Sequence, residues 1–350
     1  MKKTIACFFG GKSSEYEVSL KSASQIIEAI DKDKYKLIFI GITKEGKIYK
    51  YDGEIGNICN DTWHLSKCNP VVISPNQDKG LYVFSENKYD FIGIDLAFIM
   101  IHGKNGEDGR LQGLLELSGI PYTGCDMLSS AICMDKYLAH ELVKSKNILV
   151  PKAFLVPKDY DFDSIKTKTL MLGFPVYVKP VNGGSSIGIS KVYNSDELLL
   201  AIKKAFKYDS KVIIEENIVA NEVGCAVIGN NNLIIGEVDE MILQIDFLDY
   251  GEKYNNSNIE ILLPANLSDE VRQKIRKTAL HIYKTLGCSG FARVDMFYTK
   301  DGQLYFNEVN TIPGFTTKSR FPNMLKAIGY SYAEIVEKII ELGLERKANE

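Results

Sequence analysis

The chain has 350 residues, 45% hydrophobic and 25% charged, with a formal net charge of −3. That is an ordinary globular composition with room for two or three buried cores, and its near-neutral charge offers no basic surface for nucleic acid or an anionic membrane. No apolar run is long enough for a transmembrane helix, the apolar run behind Met1-Lys2-Lys3 breaks at Gly10-Gly11 before it makes a signal peptide, and the seven scattered cysteines lack a C-x-x-C pair, as expected of reduced thiols in a cytoplasmic protein.

Residues 4–9 read as a buried strand, Gly10-Gly11 as a turn, and residues 14–30 as a helix. Gly11-Lys12-Ser13 resembles the end of a phosphate loop, but Ala6 occupies the place of its first glycine, so that reading is rejected. Ser14 and Glu17 have the spacing of a capping box. Glu15 either favours the helix dipole or binds a substrate ammonium at the carboxyl end of the first strand, where ligands gather in open α/β sheets. Residues 35–42 form a second strand, with short strands at 47–51 and 81–84, and 95–101 read as a continuous apolar strand of the buried parallel type. That strand ends in His102-Gly103-Lys104-Asn105-Gly106-Glu107-Asp108-Gly109-Arg110-Leu111-Gln112-Gly113, a glycine-rich loop suited to a site, followed by a helix to about residue 117.

A composition break near 119–125 marks a first boundary. One helix is expected over 127–146, a strand from Pro151, a helix over 161–172 and a strand over 174–179. Then comes Lys179-Pro180-Val181-Asn182-Gly183-Gly184-Ser185-Ser186-Ile187-Gly188, between two strands. Its glycine N–H groups and hydroxyls suit phosphate oxygens and Lys179 adds a point charge, although a plain surface hairpin has the same look. After a helix over 195–207 and a strand over 211–216 stand Glu215, Glu216, Ile218 and Glu222. Such acidic residues can accept from an adenine amino group or a ribose diol, or simply form a solvated turn. Residues 223–239 read as a hairpin about 230–232, and the polar stretch 244–258 as a mobile lid.

A helix over 268–286 leads to the most informative stretch, Gly290-Phe291-Ala292-Arg293-Val294-Asp295-Met296-Phe297-Tyr298 and Leu304-Tyr305-Phe306-Asn307-Glu308-Val309-Asn310. With Asp301-Gly302 as a two-residue turn, Asp295 lies opposite Glu308 and Arg293 opposite Asn310, all on one face. Two facing carboxylates repel, and a hard cation held by Asp295, Glu308 and the Asn310 amide oxygen removes the repulsion. The loop Thr311-Ile312-Pro313-Gly314 and helices over 321–327 and 332–342 complete the chain.

These pieces together resemble the D-alanine–D-alanine ligase family of ATP-grasp enzymes over nearly the whole chain. His102-Gly-x-x-Gly-Glu-Asp-Gly-x-Leu-Gln-Gly113 fits the family's first signature and Arg293-x-Asp295 … Glu308-x-Asn310-Thr-x-Pro-Gly314 its second, with Phe306 where a smaller aliphatic is usual. Met134-Asp135-Lys136 and Lys179-Pro … Gly184-Ser185-Ser186-x-Gly188 also match. Within the family the chain resembles the vancomycin-resistance ligases of the D-alanine–D-serine kind, the G type in particular. The resemblance implies an α/β and α+β chain: an N-terminal doubly wound α/β domain over 1–124, then ATP-grasp lobes over 125–215 and 216–350.

The resemblance also implies roles. Lys136, Lys179, Lys253 and Ser186 would contact ATP phosphates, and Glu215, Glu216, Ile218 and Glu222 would line the adenosine pocket. Asp295, Glu308 and Asn310 would hold two Mg²⁺ ions, or Mn²⁺ in their place. Glu15 would bind the first D-alanine's ammonium, with Ser185 and Tyr254 linking it to the lid. His102 would orient that substrate, Arg293 and the Gly314 N–H would stabilise the oxyanion, and Ser319 would hold the second substrate's carboxylate. Arg320, oriented by Asp239, would favour D-serine as the second substrate. Leu248 in the lid, where an aromatic is usual, and Lys318, where histidine is common, depart from the pattern. The family implies a homodimer.

Overall fold

The computed structural model describes residues 2–185, 187–243 and 259–346, so Ser186, Leu248, Lys253 and Tyr254, with the whole expected lid, lie outside the described residues. Three sheets organise the rest. The first contains β1 (Lys3–Gly10), β2 (Tyr35–Ile42), β3 (Ile48–Tyr51), β4 (Cys68–Ile73), β5 (Gly80–Ser85), β6 (Lys88–Gly93) and β7 (Leu96–Met100), in the order β6-β5-β4-β3-β2-β1-β7. Its parallel part is β2-β1-β7. β1 is buried from Ile5 to Gly10 and β7 along its whole length, as unbroken apolar runs require when both faces are covered. β3 to β6 continue as an antiparallel meander. β4 and β6 were not expected from the sequence; β6 is a largely exposed edge strand with a mixed pattern, so no apolar run announces it.

Helix α1 (Tyr16–Ala29), the short α2 (Ile55–Cys59) and α3 (Arg110–Leu117) belong to this first unit. The capping box expected at Ser14 and Glu17 does not form. The N-cap residue is Glu15, whose side chain makes no capping bond, and Glu17 pairs with Lys44 at 2.6 Å. The single helix expected over 127–146 is two, α4 (Met127–Met134) and α5 (Lys136–Lys144). Asp135 breaks it with extended backbone and caps α5, accepting from Leu138 N–H at 3.0 Å while pairing with Lys211 at 2.9 Å. The break sets Lys136 at the start of a new helix.

The second sheet, β10-β9-β11-β8, contains β8 (Ala153–Val156), β9 (Val176–Pro180), β10 (Ser190–Val192) and β11 (Val212–Glu216), all antiparallel. Helices α6 (Phe162–Leu172) and α7 (Ser195–Ala205) cover it. The third, β14-β13-β12-β15-β16, contains β12 (Ala220–Ile228), β13 (Ile234–Leu243), β14 (Ile259–Leu262), β15 (Phe291–Thr299) and β16 (Leu304–Asn310), and packs on α8 (Asp269–Thr285). The last helices, α9 (Arg320–Lys326) and α10 (Tyr332–Arg346), return to the first sheet: Phe321, Ile335, Ile339 and Ile340 share one core with Ile5, Phe8 and Phe98. Among the described residues no helix is long and apolar enough to cross a membrane.

The β15–β16 hairpin pairs Asp295 with Glu308 and Arg293 with Asn310, as expected, but by a different route. The turn is not the two-residue Asp301-Gly302. Thr299 closes on Gln303, and Gly302, with φ +82°, donates to Thr299 O at 3.0 Å. This three-residue loop shifts the register by one, and a β-bulge beyond Phe306 shifts it back before Glu308. The burial of β16 slips at the same place: Leu304, Phe306 and then Val309 face the core.

Close packing at the first sheet yields a stability test. Trp63 is fully buried, meets Phe9 edge-on at 5.0 Å, and donates to the Tyr16 hydroxyl at 3.0 Å. A Cβ on Gly41 would lie 2.3 Å from its ring. Gly41→Ala is therefore expected to cost about 1–3 kcal/mol, by analogy with other overpacked cores. Chemical denaturation should show a lower midpoint, and an unchanged midpoint would refute this packing.

Candidate active site

The hairpin face carries a lattice of charges. Arg293 lays its guanidinium along Asp295, with N–H donors 2.6–3.0 Å from both carboxylate oxygens, and the Asn310 amide nitrogen donates to Asp295 Oδ2 at 2.8 Å. Arg320, at the start of α9, grips Asp239 with two bonds of 2.7 and 2.8 Å and Glu222 with one of 2.7 Å, and approaches Asp295 to 3.6 Å. Asp239 also accepts from Gly224 N–H at 3.0 Å. Asp239 and Asp295 are both almost completely buried, and these paired contacts give each the partners that a buried polar group needs. Burial opposes the charges of Arg293 and Arg320, yet the surrounding carboxylates outweigh it and hold both guanidiniums firmly protonated.

Facing the hairpin across the cleft is the second sheet. Between them lies a cavity of about 380 Å³, walled by Lys179, Glu215, Ile218, Glu222, Met241 and Phe297. Lys179 on β9 points along the cross-strand diagonal to Glu215 on β11 and pairs with its Oε2. Burial opposes the Lys179 charge, but Glu215, Glu308 and Tyr177 together raise the ammonium above its ordinary value. The same burial works on Glu215, and Lys179, His140 and Lys136 together hold its carboxyl below the usual range. Lys136 donates to Gly183 O and stands 3.5 Å from Glu308. Glu216 turns to the strand edge, accepting from Lys152 N–H at 2.8 Å.

A second, larger cleft of about 1090 Å³ lies on the other side of the glycine loop, and Glu15 is in its wall. Gly183, Gly184 and Ile189 border both cavities. The Glu15 carboxylate accepts from the Ser185 hydroxyl and lies so close to Gly103 and Gly184 that a Cβ on either would stand 2.3 or 2.9 Å from its oxygen. Gly103 has φ +71°, which a side chain would also oppose.

His102 is buried and burial pushes its imidazole down, so it is neutral. Nδ1–H donates to Ile312 O at 2.7 Å and Nε2 accepts from the Ser22 hydroxyl at 3.0 Å, so both ring nitrogens already have partners. Ile312 N–H in turn donates to Glu107 at 2.9 Å, and Gly103 N–H to the other oxygen of Glu107 at 2.8 Å. Glu107 thus clamps the signature loop to the loop carrying Gly314. Ser319 accepts from Thr316 N–H at 2.9 Å and closes that loop beside Gly314.

Along the sequence Glu107 is one position of a motif, with nothing to mark its role as a clamp. His140 is marked only by its spacing, four residues after Lys136 and so on the same helix face. Lys136, Lys179, Glu215, Glu222, Asp295 and Glu308 come together as expected, and so do Glu15 with Ser185 and Arg320 with Asp239. For a divalent ion, the described residues contain no cluster of three His, Cys, Asp or Glu side chains. What the hairpin offers is two opposed carboxylates and an amide. That set fits Mg²⁺, which commonly takes one or two carboxylates and completes its shell with phosphate oxygens and water.

A cleft between two antiparallel sheets, lined by Lys179 and Glu215 from one and by Glu222, Asp295 and Glu308 from the other, is the arrangement of an ATP-grasp enzyme. Residues 4–125 match the family described as D-ala D-ala ligase N-terminus, and residues 143–341 the one described as D-ala D-ala ligase C-terminus. The chain is 43% identical over 353 residues to the D-alanine–D-alanine ligase of Caldicellulosiruptor bescii, covering 99% of this chain and 96% of that one. It is 44% identical over 350 residues to the vancomycin/teicoplanin A-type resistance protein VanA of Enterococcus faecium, covering 97% and 98%. Among solved structures it is similar to the VanG D-Ala:D-Ser ligase of Enterococcus faecalis, with a TM-score of 0.91 and 49% identity over 98% of this chain and 100% of that one. The chain belongs to the D-alanine–D-alanine ligase family, a family of ATP-dependent ligases.

Glu107 supplies a pH test. Burial, and then Glu15 beside it, push its carboxyl up to about 8, against the pull of the two backbone N–H groups. A carboxyl that holds its proton more tightly folded than unfolded contributes stability at low pH and loses it as pH rises toward 8. Glu107→Gln removes that dependence. Between about pH 5 and about pH 8, the wild-type Tm should fall relative to the variant's; parallel curves would contradict the raised carboxyl.

Proposed function

We propose that the protein joins D-alanine to D-serine at the expense of ATP, making a peptidoglycan-precursor dipeptide of the kind that gives vancomycin resistance. The observation that carries the choice of D-serine is Arg320. Its Nε and one N–H on each terminal nitrogen are engaged by Asp239 and Glu222, so two of the five guanidinium N–H groups remain for a substrate hydroxyl. A methyl group cannot satisfy such a donor, and unmatched buried polar groups cost about 1–3 kcal/mol. The second reading, D-alanine–D-alanine ligation, rests on relatives such as that of Caldicellulosiruptor bescii, which carry that name.

In this reading Lys136, Lys179 and Lys253, with Ser186, bind the ATP phosphates, and Glu215, Glu216, Ile218 and Glu222 line the adenosine site. Asp295, Glu308 and Asn310 would hold two Mg²⁺ ions, or Mn²⁺, which when bound supply charge neutralisation at the transferring phosphoryl group. Glu15 holds the D-alanine ammonium and accepts from Ser185; Tyr254 would extend this link and so tie the substrate to the stretch 244–258, which includes Leu248. The D-alanine carboxylate, a poor electrophile, becomes an acyl phosphate at the expense of the ATP γ-phosphoryl group. His102 acts through Ile312 to set the loop that bears Gly314. Arg293 and the Gly314 N–H receive the oxyanion as the second substrate's neutral amine attacks, and Ser319 holds that substrate's carboxylate. Collapse expels phosphate. Water must be excluded throughout, since it would hydrolyse the acyl phosphate. The lobes 1–124, 125–215 and 216–350 would be the units that close on the substrates, in a cytoplasmic homodimer.

Three outcomes test this reading. Asp295→Asn and Glu308→Gln should each abolish dipeptide synthesis with circular dichroism unchanged; wild-type turnover with ordinary Mg²⁺ dependence in either would sink the metal assignment. Tyr254 stands where D-lactate-forming relatives carry histidine, and a neutral phenol does not repel an ammonium. Amine acceptors should therefore be used and D-lactate poorly used at neutral pH; depsipeptide yields rivalling dipeptide yields would count against it. In competition, wild type should prefer D-serine to D-alanine as second substrate by about ten- to a hundredfold, and Arg320→Leu should erase the preference. If wild type prefers D-alanine, or the ratio survives in Arg320→Leu, the D-alanine–D-alanine reading replaces this one.

A further inference from the structure

Behind the Lys179–Glu215 pair lies a buried histidine that the reaction above does not use. His140 is 3% exposed and Glu215 2%. His140 Nε2 is 2.8 Å from Asn307 O, and a carbonyl only accepts, so Nε2 carries a proton. In the neutral ring Nδ1 is then an acceptor too. It lies 3.9 Å from Glu215 Oε1, and among the described residues neither atom has a hydrogen-bond partner. Two buried acceptors confront each other with one donor missing, which native interiors avoid. The ring cannot turn away readily, because Phe306 meets it edge-on at 5.4 Å while Nε2 is tethered to the bulged segment of β16.

The charged groups facing His140 are few. Glu215 comes from β11, Lys179 from β9 and Lys136 from its own helix; β16 presents the Asn307 carbonyl and the Phe306 ring, with Glu308 beyond, 3.5 Å from Lys136. In this structure the cation that neutralises Glu215 is Lys179, on its other oxygen. That same lysine is the one assigned above to the ATP phosphates. When a polyphosphate draws the ammonium off, Glu215 is left as a buried carboxylate without its cation, a costly state. The group at hand that can become a new cation is His140.

We propose that His140 is a positioning residue of the nucleotide site: as ATP draws Lys179 away from Glu215, His140 Nδ1 takes a proton from solvent and donates it in a hydrogen bond to Glu215 Oε1. Lys179 is thereby released to the phosphates without leaving Glu215 unneutralised. The inference rests on the assignment of Lys179 to ATP. The sign of the pH effect follows. Without nucleotide, burial holds the imidazole below its ordinary value despite Glu215, so it is neutral at neutral pH. Departure of the lysine charge and arrival of the phosphates both favour the imidazolium, so the nucleotide complex binds the proton more tightly than the free protein. Nucleotide affinity is then greatest at low pH and falls as pH rises between the two values, by about tenfold per unit of separation.

The test is calorimetric titration of the full-length protein with ATP and Mg²⁺, without amino acid, in buffers of different ionisation enthalpy, for wild type and His140→Gln. The glutamine can still donate to Asn307 O but cannot become a cation. Wild type should take up more protons than the variant, approaching one per nucleotide, and the difference cancels protons belonging to ATP itself. The KM for ATP should rise with pH in wild type and be flat, at the high-pH value, in the variant, with kcat little changed. Ring ¹⁵N spectra of wild type, which has four histidines, should show one Nδ1 moving from bare to protonated on adding ATP. Should His140→Gln fail to fold, this spectrum decides alone. ATP binding with no extra proton and no protonated Nδ1 overturns the inference while leaving the assignment of Lys179 in place. ATP binding that is unaffected by Lys179→Met, or absent in wild type, overturns that assignment and the inference with it.

Discussion

Asp295 is a carboxylate almost entirely shut away from water, and the charged face of the third sheet is built so that it is never without a positive neighbour. Arg293 covers both its oxygens, Asn310 adds a third donor, and Arg320 stands behind at 3.6 Å. A buried charge left alone would be prohibitive, so each of these contacts constrains the next. Arg320 can be there because Asp239 and Glu222 neutralise it, and Asp239 can be buried because Gly224 has no side chain to displace it: a Cβ there would come within 2.4 Å of Arg320 and 2.7 Å of Asp239. The charges are thus mutually dependent, and a face that reads as polar along the sequence is rigid in space.

The same logic holds the lobes together. His102, Glu107 and Ser22 from the first unit engage Ile312 and Phe315 of the loop after β16 through backbone atoms alone. The buried side chains of Ile312 and Phe315 add apolar contacts to the same core, so the path of the loop around Gly314 is fixed twice. α10 adds an apolar clasp by completing the core of the first sheet. The cleft between the first and second units holds Glu15 and the glycine loop in contact, so the two cavities share one wall of glycines.

Much of this is legible along the chain because the chemistry is carried by short-range patterns. The apolar runs at β1 and β7, the glycine loops at their ends and the alternation in β15 require no knowledge of distant partners. The register that opposes Asp295 to Glu308 is a more instructive case. A two-residue turn at Asp301-Gly302 predicts the same pairing, yet the chain does not make that turn. The real loop is one residue longer and a bulge takes the extra residue up again. The polar pair Asn307-Glu308 after the apolar Leu304-Tyr305-Phe306 is the local trace of that bulge, since a regular strand would not place two successive polar residues off the core.

By itself the sequence determined most of the strands and helices around each motif, because these follow from periodicity, and its motifs carried the resemblance to the family. It could not determine which donor each buried acceptor finds. The break of one helix at Asp135, the loss of the capping box to a Glu17–Lys44 pair, the clamp of Glu107 on Ile312 and the meeting of His140 with Glu215 all join positions far apart in the chain. Such pairings are decided when the sheets and helices pack, because only then is water removed and an unpaired polar atom becomes expensive.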